Sequence, residues 1–331
     1  MNSSLFTRRQ ALAVAAIGIA TSSRARAKTE ATLATVNPSA FLMVRMESLF
    51  ASKVAEKTNS DVTIKVVTDG QLGGQVENVE ALMAGNLEMC QFNNAILGGF
   101  YPNTMLFDLP FLFRDIDHMR KVVNGPIGQK VYAEFQSKTG IMVIIPGMAD
   151  GPRSVWNSRR PVRTPADLNG MKLRVMEGPI MVDTFKDLGA IPTPMAYPEV
   201  YMAAKQGVID GAETPPNGLI TGKVPEVAKY YSLTRHFSIP SGIAANAKWF
   251  EGLTPADQSA MRAAAAESLA WYNSAYDADN KQALAEAQKM GMQVNDVEDL
   301  DQFRKAVQPV YQKYADRVGG MALIQAVIDT K

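Results

Sequence analysis

The stretch VTIKVVTDGQLGGQVENVEALMAGNLEMCQF, from Val62 to Phe92, sets the fold class. Val62, Ile64 and Val66 alternate with less apolar residues, the period of a half-buried strand. The turn Asp69-Gly70-Gln71-Leu72-Gly73-Gly74 follows, then a helix to Met83 that Gly85 stops, then a second strand over Leu87–Phe92. Strand, helix and strand in that order make an α/β unit with parallel pairing. Upstream, Ala31–Val36 reads as a strand ending at Asn37-Pro38. Leu42, Met46, Leu49, Phe50 and Val54 then share one face of a helix. Downstream, Ile141–Ile145 is a buried apolar strand, ended by Pro146-Gly147.

A second set of elements begins near Gly151. Thr164-Pro165-Ala166-Asp167 is a helix start, with a Thr cap, Pro at the first position and an acid at the third. Met171–Val175 and Val208–Ile209 read as strands, Pro179–Leu188 and Glu199–Lys205 as helices. The segment Ile191-Pro192-Thr193-Pro194 suits a sheet edge, because Pro lacks a ladder donor. Tyr230–Leu233 and Ile243–Ala245 read as connections between two lobes. Thr254-Pro255-Ala256-Asp257 then repeats the helix start, and from Ala256 to Met290 there is neither Pro nor Gly. A helix of that length spans about 54 Å, more than one small lobe. It is Ala-rich without a sustained heptad, so a spine along both lobes fits better than a coiled coil.

Composition removes several function classes. The 331 residues carry 34 Lys+Arg against 33 Asp+Glu, so no basic face for nucleic acid is expected. One cysteine and two histidines leave no internal disulfide and little for a metal site. Cys90, among Leu87, Met89 and Phe92, is expected to be buried. Residues 1–27 hold Arg8, Arg9, Arg24 and Arg26 and no acid, an apolar run over Ala11–Ala20, and the small-x-small site Ala25-Arg26-Ala27. That order reads as a cleaved twin-arginine-like export signal, which places the mature chain in a bacterial periplasm. The apolar run is too short to span a bilayer, which takes about 20 residues.

No GxSxG elbow, HExxH helix or phosphate loop is present. His118 sits among Asp115, Asp117, Arg120 and Lys121 and reads as part of a solvated helix face. His236, between Arg235 and Phe237, reads as a connection residue. Binding is better served. A carboxylate in a dry cleft needs a fixed, always-charged, bidentate partner, which Arg supplies. Alternation in Met171-Lys172-Leu173-Arg174-Val175 puts Leu173 and Val175 on one face and Lys172 and Arg174 on the other. Arg153 follows Asp150-Gly151-Pro152. A surface role for either Arg remains open on pattern alone.

At these residues the chain resembles the substrate-binding proteins of TRAP transporters, the tripartite ATP-independent periplasmic carriers. The resemblance spans the mature chain. It is carried by Gly70–Gly73, by Leu109-Pro110-Phe111-Leu112-Phe113, by Arg163–Val175, by Gly189–Tyr201 and by Gly207-Val208-Ile209-Asp210-Gly211-Ala212-Glu213. It implies an α/β, two-lobed flytrap fold with hinge strands and a long helix across both lobes. The lobes would be residues 28–149 with 239–279, and 150–238 with 280–331.

The resemblance also implies that Arg174 clamps a ligand carboxylate, with Arg153 assisting. Asn93 and Gln75 stand where the family's first lobe supplies polar contacts, Asn37 is a third, and Tyr197 holds an aromatic-wall position. Thr214 replaces an amide that often reads the ligand, and Asn93 stands where some acidic-sugar binders carry a carboxylate. Glu213 and His236 complete the candidate set. The implied function is capture of a small organic acid and its delivery to a membrane permease without a cofactor; polar Gln75, Asn93 and Thr214 suit the hydroxyls of a uronate or aldonate first, a C4-dicarboxylate, a short hydroxy or keto acid or an aromatic acid stays open, and a monomer is the default for a shuttle. Two alternatives stay open: an exported enzyme using Glu213 with His236 as an acid–base pair, and a sensor subunit presenting ligand to a receptor.

Overall fold

The computed structural model describes residues 28–331; the export-signal reading of residues 1–27 lies outside the described residues. In chain order, the first lobe is built by β1 (Thr29–Ala34), α1 (Leu42–Lys57), β2 (Val62–Val67), α2 (Gln75–Ala84), β3 (Met89–Asn93), α3 (Asn94–Leu97), α4 (Ile116–Asn124) and α5 (Pro126–Thr139). β4 (Ile141–Asn157) crosses into the second lobe. There the chain forms β5 (Lys172–Val175), α6 (Pro179–Asp187), β6 (Ile191–Pro194), α7 (Val200–Lys205), β7 (Gly211–Thr214) and α8 (Asn217–Thr221). β8 (Tyr230–Asn246) returns, followed by α9 (Ala247–Glu251), α10 (Pro255–Lys289), β9 (Gln293–Asp296), α11 (Leu300–Ala306), α12 (Gln308–Tyr314) and α13 (Met321–Asp329).

One sheet runs through both lobes in the order β2-β1-β3-β8-β4-β7-β5-β6, with β9 also on β8. β1 pairs in parallel with β2 and β3, and β5 with β6 and β7, as alternating strands and helices imply. The middle is antiparallel, where β4 and β8, 17 residues each, run side by side from one lobe into the other. Two sequence expectations are corrected here. Pro146-Gly147 does not end a strand. Gly147 takes φ +74°, the register shifts between Ile145 and Met148, and the ladder resumes, which is how a bulge absorbs an extra residue. Tyr230–Leu233 and Ile243–Ala245 do connect the lobes, as the two ends of the single strand β8. Val208–Ile209 is not a strand; β7 starts at Gly211, and buried Ile209 instead joins a small apolar cluster with Trp156, Val200, Leu219 and Val224. Pro-rich β6 does take the sheet edge, and Thr164 does cap a turn, though only a single 3-10 turn over Pro165–Leu168.

α10 is the expected spine, 35 residues or about 52 Å long. Its buried stripe is mostly small or aromatic: Ala264, Ala265, Ser268, Tyr272, Tyr276, Ala283 and Ala287. Its first half pairs with α1 through Glu267, whose carboxylate lies 2.6 Å from both Lys53 and Lys57. In the middle, Tyr272 Oη donates to the Ala149 carbonyl at 2.6 Å. Tyr276 Oη accepts from the Gly151 N–H at 2.9 Å and donates to the Gly151 carbonyl. The helix therefore pins β4 where it passes between lobes. Farther on, Asn280 Oδ1 accepts from the Asn217 N–H of α8 at 3.0 Å.

The C-terminal helices touch both lobes. Tyr314 on α12 donates to Asp183 of α6 at 2.6 Å. Arg114, just before α4, donates to the carbonyl of Thr330 at 2.6 Å. His118 is corrected by the same contact region. It is buried, its Nδ1 accepts from the Arg114 N–H at 3.2 Å and its Nε2 donates to the Val327 carbonyl at 2.9 Å. Charged sequence neighbours suggested solvent, but α13 covers this side of α4. Cys90 is fully buried on β3, and burial pushes its thiol up to about 12.

Candidate functional site

The first-lobe strands β1 and β3 and the second-lobe strands β5 and β7 point their carboxyl ends at one crevice, where open α/β sheets place ligands. A narrow polar cavity lies there. Seven of the nine sequence candidates line it: Asn37, Gln75, Asn93, Arg153, Arg174, Tyr197 and Thr214. Glu213 and His236 do not; both are buried behind Arg153. His236 is no connection residue either, since it lies inside β8, and its Nδ1 is 2.8 Å from the Thr234 hydroxyl.

Arg153 is held, not free. Its Nε and Nη2 both donate to the Glu213 carboxylate, Nη2 also donates to the Glu213 carbonyl at 2.8 Å, and Nη1 donates to Asp150 Oδ2 at 2.6 Å. A guanidinium has five N–H donors, so these bonds leave one, on Nη1. Burial alone would raise the Glu213 carboxyl, but Arg153 and His236 outweigh it and hold it at about 2. Burial also raises the Asp150 carboxyl, with Arg153 opposing and Glu213 adding to the rise. Burial lowers His236, with Glu213 opposing.

Arg174 is the contrasting case. Leu173 and Val175 enter the core as alternation requires, and Arg174 points to the cavity at only 4% exposure. Its Nε donates to the Met195 carbonyl at 2.8 Å. Among the described residues no carboxylate lies within ion-pair distance of it, because Asp150 and Glu213 are both taken by Arg153. Burial pulls its guanidinium down to about 10, with distant Glu213 opposing and Arg153 adding to the fall. A buried cation with unengaged terminal nitrogens is the electrostatic complement of an incoming carboxylate.

The first-lobe wall is a connected amide network. Asn93 Oδ1 accepts from Gln91 Nε2 at 2.8 Å and from the Ser241 hydroxyl at 2.9 Å, while its N–H donates to Gln75 Oε1 at 2.9 Å. Asn93 Nδ2 donates to Asp150 Oδ2 at 2.5 Å. Asp150 thus joins the first-lobe amides to Arg153, and sequence reasoning passed over it as a turn residue before Gly151-Pro152. Its one sequence signal was its position three residues before Arg153. Gln91, two residues from Asn93 and so on the same strand face, was missed as well.

The lobes touch across this cavity. Asn93 Nδ2 lies 3.4 Å from the Met176 sulfur, and a Cβ on Gly178 would stand 2.5 Å from the Ala95 carbonyl. Gly178 has φ −98°, so it is required by close approach and not by backbone freedom.

Residues 33–317 match the family described as bacterial extracellular solute-binding protein, family 7. The 2,3-diketo-L-gulonate-binding periplasmic protein YiaO of Escherichia coli is 34% identical over 78% of this chain and 76% of its own length. A TRAP periplasmic solute binding protein from Roseobacter denitrificans with bound β-D-glucuronate superposes at TM-score 0.88 with 31% identity, over 91% of this chain and 100% of that one. A second, from Polaromonas sp. JS666 and bound to D-erythronate, gives TM-score 0.88 and 31% identity over 92% and 99%.

Proposed function

The chain belongs to the bacterial extracellular solute-binding proteins of family 7, the TRAP periplasmic type, and from that premise we propose that it captures a hydroxylated carboxylic acid, a uronate or aldonate, and delivers it to a membrane permease. The observation that carries the reading is Arg174, a buried cation on the cavity wall without an ion-pair partner among the described residues. The carboxylate docks on its terminal nitrogens. Asn93, Gln75, Asn37 and Thr214 meet the hydroxyls, the last donor of Arg153 assists, and Tyr197 packs against the ring. Glu213 and Asp150 hold Arg153 in place, and His236 stands behind Glu213. This family binds solutes and does not turn them over. The buried arrangement of Glu213 and His236 supports a positioning role for both.

Closure follows from the strands. β3 stops pairing at Asn93↔Ser241 and β7 starts at Ser154↔Thr214, with Ala149↔Pro240 between them. That change of partners supports 28–149 with 239–279 and 150–238 with 280–331 as the moving bodies, and β4 and β8 as the hinge. Export by a cleaved signal in residues 1–27 belongs to the same proposal; fractionation of cells expressing the full chain should recover a shortened protein in the periplasm.

The test is a calorimetric titration of residues 28–331 with D-glucuronate, D-galacturonate, D-erythronate, the matching neutral alditols and C4-dicarboxylates. We expect at least one sugar acid to bind with Kd of about 1 μM or tighter, roughly −8 kcal/mol. Binding confined to C4-dicarboxylates or to neutral compounds would overturn the sugar-acid assignment. Closure makes a separate prediction. Gly178→Ala should weaken the same acid by about 5- to 150-fold, the equivalent of about 1–3 kcal/mol of overpacking, and leave the melting temperature of the unliganded protein unchanged. Equal affinities would show that Gly178 and Ala95 do not approach in the bound state.

A further inference from the structure

A second cavity, of about 310 Å³, opens beside the first. The two share Val36, Arg174, Tyr197 and Thr214 as a common wall. The phenol oxygen of Tyr197 reaches across to Thr221 and to Gly222, where an added Cβ would stand 3.1 Å from it. Tyr197 therefore partitions the crevice, with Arg174 beside it on both sides.

The second cavity differs in chemistry. Trp156, Val200, Ala212 and Val224 on its wall belong to the small apolar core of the second lobe. Tyr201 adds another ring, with the Lys223 ammonium 5.9 Å above it. Exposed Lys223 and Asp69 mark its solvent side. Ligand cavities for drug-sized molecules run to about 300–1,000 Å³. The second cavity reaches the lower end of that range by itself, so it has room for a group beyond the acid held at Arg174.

We infer that the crevice accepts acids bearing a second ring, with the carboxylate on Arg174 and its hydroxyls in the first cavity, and an aryl or glycosyl substituent in the second. The rings of Trp156, Tyr197 and Tyr201 offer faces and edges for stacking. The inference rests on the carboxylate reading above and widens its substrate class to ring-substituted uronic acids.

Trp156 is the one of the three tryptophans that lines either of these cavities, so its fluorescence reports occupancy. The experiment titrates residues 28–331 with D-glucuronate, phenyl β-D-glucuronide and an aldobiouronic disaccharide, following heat and tryptophan emission. At least one ring-bearing acid should bind within threefold of D-glucuronate or tighter, and should shift the emission beyond the change that closure on D-glucuronate produces. The phenyl and disaccharide arms separate an aryl from a glycosyl substituent. Val227→Phe, which fills the second cavity, should weaken the ring-bearing acid more than tenfold and D-glucuronate less than twofold. D-glucuronate binding with both ring-bearing acids more than tenfold weaker would overturn the inference and leave the carboxylate reading standing. Failure of all three acids to bind would overturn both. The emission shift in the unsubstituted protein decides the matter even where Val227→Phe does not fold.

Discussion

Replacing Arg174 by methionine should abolish useful affinity for the cargo acid and, in the same protein, raise the melting temperature of the unliganded form. The two effects share a cause. Arg174 is buried, and no carboxylate among the described residues pairs with it. Its guanidinium falls from 12.5 to about 10 through burial. At about 1.4 kcal/mol per unit, keeping the charge costs the folded state on the order of 3 kcal/mol. Methionine has a similar reach and no charge, so it removes that cost. It forfeits the bond from Nε to the Met195 carbonyl, worth about 1 kcal/mol. A net gain on the order of 2 kcal/mol remains, visible as a rise of a few degrees by calorimetry. On the binding side, stranding a carboxylate in a dry cleft costs about 2–5 kcal/mol, or roughly 30- to 4,000-fold in Kd. Arg174→Lys should fall between, since it keeps the charge and loses the fork. Retained affinity in the methionine variant would refute the clamp, and a lowered melting temperature would refute the unpaired-cation argument. Arg153 cannot be probed so cleanly. Its removal leaves Asp150 and Glu213 buried without their cation, so loss of folding would mask loss of binding.

That contrast between two arginines was half legible in the sequence. Alternation over Met171–Val175 placed Arg174 opposite the core-facing Leu173 and Val175, and strand geometry alone carries that inference. The pattern says nothing of counter-ions, because Glu213 comes from a strand that meets Arg153 only in the folded sheet, and Asp150, on the same strand as Arg153, turns toward it only through the register shift between them. Glu213 is 60 residues from Arg153 and Asn93 is 57 from Asp150. The long helix was legible because breakers are absent from it. The continuity of β4 was not, because Pro146-Gly147 mimics a strand end locally. Continuity of β4 and β8 is a property of their mutual pairing, such as Ile145↔Ile243, across nearly one hundred residues. His118 failed for the same reason: its partner Val327 lies 209 residues away.

Between about pH 6.5 and pH 8 the protein should lose stability as pH rises, and two carboxyls outside the ligand site should account for most of the slope. Glu47 on α1 is fully buried with neither carboxylate oxygen hydrogen-bonded, and burial raises its carboxyl from 4.5 to about 8, the Thr35 hydroxyl opposing. Asp108 is buried too. Burial raises it from 3.8 to about 8, although Asn94 Nδ2 donates to it at 2.9 Å. In that window the folded chain holds protons that the unfolded chain has released. The unfolding free energy therefore falls with pH, by up to about 1.4 kcal/mol per pH unit for each group. Glu213 has the opposite sign, since its carboxyl is depressed to about 2. Its contribution is lost only as pH falls from about 4.5 toward 2, and the buried His118 and His236, both lowered by burial, cost stability only as pH falls below about 6.5, so all three effects lie below the window. Urea denaturation at intervals from pH 6.5 to pH 8 should show the slope in the unliganded protein. Glu47→Gln and Asp108→Asn should each remove about half of it, whatever they do to stability at a single pH, because an amide does not titrate. A flat or rising profile in the unsubstituted protein would mean that both groups are ionised in the fold, and each would then need a cation within the lobe. No Lys, Arg or His ion pair to either is found among the described residues. The slope is thus a direct reading of whether the first lobe buries these two carboxyls as neutral acids.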